Sequence, residues 1–222
     1  MLCLTDDPLD PPGWERFGGG HLFVFDLGRY LVRLGFQVDY LTRRNAAFKL
    51  FFESLGPLCT LTRLDVGPTT DLAPLDLHAH LDDLTIAAQS VVRDRPAYDV
   101  IHSHNWLSGA VARAVVSEKT RHVHSILSLG RLRLALGEES IEGDSLRDEL
   151  EVQIFRDADV LVAVAPSERE DLLRLYPEVQ HDRIVIVPYG IDPEVFDPRP
   201  QSPDHFILRQ ARRSAQGSSE LS

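Results

Sequence analysis

Residues 18–43, GGGHLFVFDLGRYLVRLGFQVDYLTR, hold the pattern that decides the fold. Three glycines stand directly before a run in which Leu22, Phe23, Leu27, Tyr30, Leu31 and Leu34 recur at helical spacing. Gly35 sits where a helix C-cap belongs, and Val38–Leu41 then reads as a strand. A glycine loop feeding a helix N-terminus exposes unpaired N–H groups and the positive end of the helix dipole, which suits a phosphate or another anion. The loop is not G-x-G-x-x-G, because Phe23 holds the last glycine position, so a dinucleotide site is disfavoured.

The same alternation extends in both directions. Upstream, residues 1–5 read as a strand and 6–18 as a turn-rich loop. Downstream, strands are expected at Cys59–Leu64, Val100–His102, 121–126, 160–164 and 184–187. Helices are expected at 75–94, 107–118, 145–156 and 167–175. About seven Val/Ile/Leu-rich strands separated by helices predict a single doubly wound, Rossmann-like α/β domain with a parallel sheet. Such sheets bind ligands at the carboxyl ends of their strands, near a topological switch point. The domain is expected to cover 1–198, and the Arg-, Gln- and Ser-rich stretch 199–222 reads as a disordered tail.

Composition narrows the function. The chain has 222 residues, 43% hydrophobic and 26% charged, with a formal net charge of −11. That balance builds a core. The negative charge argues against a nucleic-acid partner, which would need a basic face. No apolar run approaches the roughly 20 residues of a membrane span, and no basic-then-apolar leader opens the chain. Cys3 and Cys59 lie in apolar runs and read as buried reduced thiols. Together these features predict a cytoplasmic protein.

Three further patterns bear on chemistry. The pairs His78/His80, His102/His104 and His122/His124 each have i, i+2 spacing, which puts both rings on one face of a strand. No cysteine or carboxylate with ligand spacing accompanies them, so they read as polar groups lining a cleft rather than a metal centre. Asp157-Ala158-Asp159 precedes its apolar strand and so lies at the wrong end for ligand chemistry. Glu170 and Glu178 have E-x7-E spacing but span a helix end.

Five segments in order then carry a family resemblance. GGGHLFVFDLGRYLVRLGFQVDYLTR (18–43) resembles the opening of family-4 retaining glycosyltransferases, in the sucrose-phosphate-synthase and mycothiol-glycosyltransferase-like branch. YDVIHSHNWLSG (98–109) resembles that family's H-S-H-Y-W-L-S-G, and HSILSLGRLR (124–133) its H-T-x-H-S-L-G-R-x-K. ELEVQIFRDADVLVAVAPSE (149–168) and RIVIVPYGIDPEVFDP (183–198) resemble two further family segments.

The resemblance implies one lobe of a GT-B fold, the N-terminal, acceptor-side lobe of a two-lobed enzyme. It implies a nucleotide-sugar as co-substrate, a polar or phosphorylated acceptor, retention of anomeric configuration, and no bound metal or other cofactor. It places Gly18 and Gly19 near the donor phosphates and the transferred sugar. Arg43, Arg131, Arg133 and Arg147 become candidates to hold an anionic acceptor. His104, Asn105 and Ser128 would lie on the cleft face. Two positions depart from the pattern: Leu127 stands where the family has its sugar-contacting His, and Asn105 where it has Tyr. Only 24 residues follow Pro198, where a second lobe is expected to begin. The expected partners are therefore a separate donor lobe or a second copy of the chain, with Phe17 and Trp106 as docking rings, unless Trp106 simply caps the core. The alternative expectation is a helper or relic domain that binds a glycosyltransferase partner or a sugar ligand without turnover.

Overall fold

A computed structural model of the chain describes residues 1–11, 20–138 and 143–190. Six of the seven expected strands are present as regular strands and the seventh as an isolated bridge, and their order shows how the site is built. Strands β1 (Val38–Arg43), β2 (Phe52–Gly56) and β3 (Cys59–Leu64) form one group, ordered β1-β3-β2. Strands β4 (Val100–His104), β5 (Arg121–Ser125), β6 (Val160–Ala163) and β7 (Ile184–Ile186) form a second, wholly parallel group in sequence order.

The first residues of the chain stitch the two groups together. Leu2 bridges in parallel to Leu41 on β1 and to Ser103 on β4. Its N–H donates to the His102 carbonyl at 2.8 Å, and its carbonyl accepts from the His104 N–H at 3.0 Å. On the other side, the Cys3 N–H donates to the Leu41 carbonyl at 3.0 Å. The chain therefore starts in the middle of the sheet, winds outward through β1 and β3, and crosses back to β4. That reversal is a topological switch point of the doubly wound kind.

Three expectations are corrected here. The first strand, expected over 1–5, is an isolated bridge at Leu2 rather than a regular strand. The strand β2 was not anticipated, and it runs antiparallel to β3, so the sheet is mixed at that edge. Gly56-Pro57-Leu58 makes the tight return, with Gly56 at φ +138°, a left-handed value open mainly to glycine. The expected helix at 75–94 is broken into α2 (Pro74–His78) and α3 (Leu81–Arg93) by a turn at Ala79 and His80.

Helices cover both faces. Helix α1 (Gly20–Arg33) lies over the smaller apolar cluster of Cys3, Val24, Val38, Tyr40, Cys59 and Leu61. Helices α4 (Asn105–Val115), α6 (Asp144–Asp157) and α7 (Pro166–Leu175) contribute to the larger cluster, with α5 (Gly130–Ala135) beside α6. The alternation of a strand is visible in three consecutive residues: Leu2 and Leu4 join the larger cluster and Cys3 the smaller. Gly28 lets α1 sit close to the sheet. A Cβ there would lie 1.9 Å from the Tyr40 hydroxyl, which reaches past it to donate to the Phe25 carbonyl at 2.9 Å. Cys3 and Cys59 are both buried and both free. Met1–Pro188 forms one compact unit, and the expected boundary at 198 and the tail 199–222 lie outside the described residues.

Candidate active-site cleft

Thr5 and Asp6 leave the first bridged segment, Asn105 leaves β4, and residues 126–130 leave β5. All three are carboxyl ends flanking the switch point. Gly20, the first residue of α1, meets them there: a Cβ on it would lie 3.5 Å from a Leu127 methyl and 3.9 Å from an Asp6 carboxylate oxygen. Leu127, which stands where the resemblance has a histidine, is thus beside Gly20. Gly18 and Gly19 themselves lie outside the described residues, as does Phe17.

Asn105 is the pivot of the switch point. It has φ +65°, the sole positive value of a non-glycine among the described residues. Asparagine tolerates that left-handed region better than most side chains. The strained geometry aims its amide in two directions. Its Nδ2 donates to the Thr5 hydroxyl at 2.5 Å, and its Oδ1 accepts from the Ser108 N–H at 3.1 Å in the first turn of α4. The Thr5 hydroxyl in turn donates to Asp6 at 2.6 Å.

His104 was expected on the cleft face, but the structure buries it completely, at 0% exposure. Its ring packs 4.3 Å from the His102 ring and 5.8 Å from Phe23, and neither ring nitrogen has a partner among the described residues. Burial holds it neutral, with its pKa well below the usual histidine value. His102, His122 and His124 are likewise taken up inside the sheet, whereas His78 and His80 are only partly buried. His102 is hydrogen-bonded to Ser125 at 2.8 Å, and Ser103 joins His122 and His124, each at 2.8 Å. Desolvation lowers His102 to about 3 and His122 to about 4. These rings tie β4 to β5 instead of lining a hollow. Among the described residues, no group of three or more His, Cys, Asp or Glu is placed to hold a metal ion.

The four candidate arginines separate cleanly. Arg43 is 4% exposed and donates to the carbonyls of Pro68 at 2.7 Å and Thr70 at 2.5 Å, so it clamps a loop. Arg131 forks onto Asp148 at 2.5 and 3.1 Å, donates to the Leu175 carbonyl, and lies 4.5 Å over Tyr176. Arg133 pairs with Asp144 and, at 3.5 Å, with Glu138. Arg147 alone reaches an exposed candidate residue: its Nη2 donates to the Ser128 hydroxyl at 2.8 Å.

What holds Arg147 is a residue the sequence reading passed over. Glu151, one helical turn on and 1% exposed, accepts from Arg147 Nε at 2.7 Å. The same carboxylate accepts from the Gly130 N–H at 2.9 Å and from the Tyr176 hydroxyl. Gly130 leaves room for this: a Cβ would stand 3.0 Å from Glu151 Oε2 and 3.1 Å from Arg147 Nε, a tight fit that would push both side chains back by a few tenths of an ångström. The available signal was a glutamate four residues after an arginine on an otherwise core-facing stretch of α6. Trp106 lies under Arg147, 6.0 Å from its guanidinium, and stacks on His78. At 8% exposure it is part of the core, the second of the two roles open to it, and not a free docking ring. Asp157 and Asp159 serve as structural pairs, the first with Arg113 and the second with Arg121 and the His122 N–H.

The arrangement can hold an anion at Arg147 and Ser128 while offering polar atoms at Asp6, Thr5 and Asn105. Comparison with known proteins shows the family. The family model described as a glycosyl transferase 4-like domain matches residues 18–190. A D-inositol 3-phosphate glycosyltransferase from Xylanimonas cellulosilytica is 32% identical over 222 residues, covering 98% of this chain and 52% of that protein. One of the same name from Frankia alni is 34% identical over 201 residues, covering 88% and 49%. Among solved structures, the sucrose-phosphate synthase of Thermosynechococcus elongatus superposes with a TM-score of 0.80 at 25% identity, over 94% of this chain and 51% of that one. The chain thus spans about half the length of the relatives it matches.

Proposed function

Because the chain belongs to the glycosyl transferase 4-like family and corresponds to its N-terminal domain, we propose that its cleft binds the acceptor of a hexosyl transfer from a nucleotide-sugar. The observation that carries this reading is the Arg147–Ser128 pair, next in sequence to the Leu127 that meets Gly20, braced by a buried glutamate. A guanidinium already oriented by Glu151 loses little freedom when a phosphate docks, so a sugar phosphate fits this end of the cleft. Gly18 and Gly19 are proposed to turn backbone N–H groups toward the donor diphosphate, stabilising the charge that builds on it as it departs. The donor's nucleotide is proposed to bind a second domain, on the same chain or a partner. The free thiols of Cys3 and Cys59 support a reducing, cytoplasmic setting. No helix among the described residues is long and apolar enough to cross a membrane.

The test is a titration of the 222-residue chain with inositol 1-phosphate, followed by NMR. Arg147→Met is expected to weaken binding at least five-fold, and unchanged affinity in a folded variant overturns the assignment. A second reading, binding without turnover, is favoured by Leu127, whose methyls cannot hydrogen-bond a sugar hydroxyl. It is separated from the first by supplying the donor domain of a relative. The chain alone is expected to give no turnover under either reading, since charge-stabilising groups come from both domains. Turnover on reconstitution supports the first reading, and turnover that requires Leu127→His supports the second.

A further inference from the structure

Strand β2 is the outer strand of its group, and among the described residues it pairs with β3 alone. One hydrogen bond fixes the direction of its free backbone groups: the Arg63 N–H donates to the Phe51 carbonyl at 2.7 Å. Successive residues of an antiparallel ladder turn these groups to opposite sides. Phe51 and Glu53 therefore face β3, and the N–H and C=O of Phe52 and Ser54 face away from it. Such an edge is a template for another strand. Neither lysine nor proline guards β2, and its one charge, Glu53, is paired with Arg63 of β3. The ladder is irregular only at its end, between Ser54 and Gly56.

Apolar side chains gather along the same edge. Phe48, Leu50, Phe51 and Phe52 precede or open β2, and all are exposed. Leu58 follows its turn, and the Leu58 carbonyl accepts from the Val38 N–H, which brings the exposed Leu34 and Phe36 to that end. Every exposed phenylalanine among the described residues belongs to this set: Phe36 at 58%, Phe48 at 74%, Phe51 at 54% and Phe52 at 46%. At about 200 Å² for a whole phenylalanine, these four offer about 450 Å². That already equals the largest apolar patch of an ordinary monomer, about 300–600 Å². It is more than half of the about 800 Å² that each partner gives to a stable interface, before the three leucines are added.

The edge is complementary to itself. A second copy laid antiparallel on β2, with Ser54 against Ser54, exchanges both outward N–H···O bonds at the two-fold axis. In that register Phe52 stands opposite Gly56 of the other copy, which has no side chain to obstruct the ring. Glu53 stands opposite Leu55, so no like charges meet. Reversal of direction also carries Phe48–Phe51 of each copy toward Leu58 and Phe36 of the other. We infer that the chain forms a two-fold dimer through β2, with a second copy of itself as the occupant of this edge. Lys49, inside the apolar run, is bound to Asp7 at 2.9 Å and to Asp10, so the interface is tied to the loop that leads along the cleft. The inference stands apart from the acceptor-cleft reading.

Sedimentation equilibrium of the full chain tests it, at up to about 100 μM, above the μM-to-pM dissociation constants of interfaces of this size. A species of twice 24.9 kDa is expected, and a monomer throughout overturns the proposal. Ser54→Pro removes the outward N–H at the axis and leaves the pairing with β3 in place. Phe48→Lys puts a charge on the most exposed ring and lies outside the strands. Each is expected to raise the dimer dissociation constant about ten-fold or more while circular dichroism reports a folded chain. Ser54→Cys sets two thiol-bearing residues about 5.5 Å apart, Cα to Cα, across the axis. A short bis-maleimide is expected to join them, whereas the wild type, with Cys3 and Cys59 buried, stays unlinked. A dimer that persists unweakened in Phe48→Lys, or that fails to cross-link through Ser54→Cys, lies on another face and overturns the proposal.

Discussion

Replacing Glu151 by glutamine tests how much the brace behind Arg147 contributes. The substitution keeps the shape of the side chain and removes its charge. In the folded protein that carboxylate serves the Gly130 N–H, Arg147 Nε and the Tyr176 hydroxyl at once. Glutamine offers one acceptor oxygen and turns an NH2 toward groups that are themselves donors. A hydrogen bond to a charged group contributes about 1.5–3 kcal/mol, and removing one partner of a buried ion pair costs about 3–5 kcal/mol. The two figures describe overlapping losses, so the expected destabilisation is about 3–5 kcal/mol and not their sum. For a domain of this size about 2–4 °C of Tm accompanies each kcal/mol, giving a fall on the order of 10 °C. Urea unfolding at neutral pH measures the free energy, and a Glu151→Gln, Arg147→Met cycle isolates the pair. A variant within about 0.5 kcal/mol of wild type, the range of ordinary surface changes, would refute the reasoning, because it would mean the loop after β5 is held by something else.

The buried histidines set an acid limit on stability. His102 and His122 have folded-state values lowered by burial to about 3 and about 4, below the unfolded value of about 6.5. The unfolded chain takes up their protons first, so their contribution is complete above pH ~6.5 and is lost as pH falls from there toward 4. Urea midpoints at pH 7.5, 5.5 and 4.5 are expected to drop in that order, and equal midpoints at 7.5 and 4.5 contradict the assignment. Gly28→Ala forces a Cβ to within 1.9 Å of the Tyr40 hydroxyl, so α1 or Tyr40 must move. Overpacking of that kind costs about 1–3 kcal/mol, and adding Tyr40→Phe, which deletes the clashing oxygen, is expected to recover part of it in a calorimetric scan.

Alternation of apolar runs with amphipathic stretches made most of the parallel sheet legible. β6 and β7 stand where Val and Ile cluster, as strands covered on both faces do, whereas β4 and β5 mix Val and Ile with His and Ser that bond between the strands. The hairpin strand β2 escaped for the opposite reason: Phe52 and Ser54 are exposed and the segment has no apolar face to report. Within the site, Gly20, Leu127 and Ser128 were legible through their order in the chain. The burial of His104 was not, since i, i+2 spacing shows that two rings share a face without showing what covers that face. Nor could the four arginines be ranked from sequence. Arg131 and Arg133 are taken by Asp148 and Asp144, whose proximity depends on how α5 packs against α6. Glu151 looked like one more charge on a helix because its partners, Gly130 and Tyr176, are 21 and 25 positions away.

The stitch at Leu2 has a kinetic consequence. Its two partners, Leu41 and Ser103, are far along the chain, so each contact closes a long loop whose entropic cost comes before any reward. The β1–β3 group and the β4–β7 group each pair near neighbours and can form without it. The stitch is therefore expected to close after the rate-limiting barrier, locking together two halves that have already condensed. Leu2→Ala should then hasten unfolding and leave the folding rate alone, a φ-value near zero, whereas a value near one would make the middle of the sheet the nucleus.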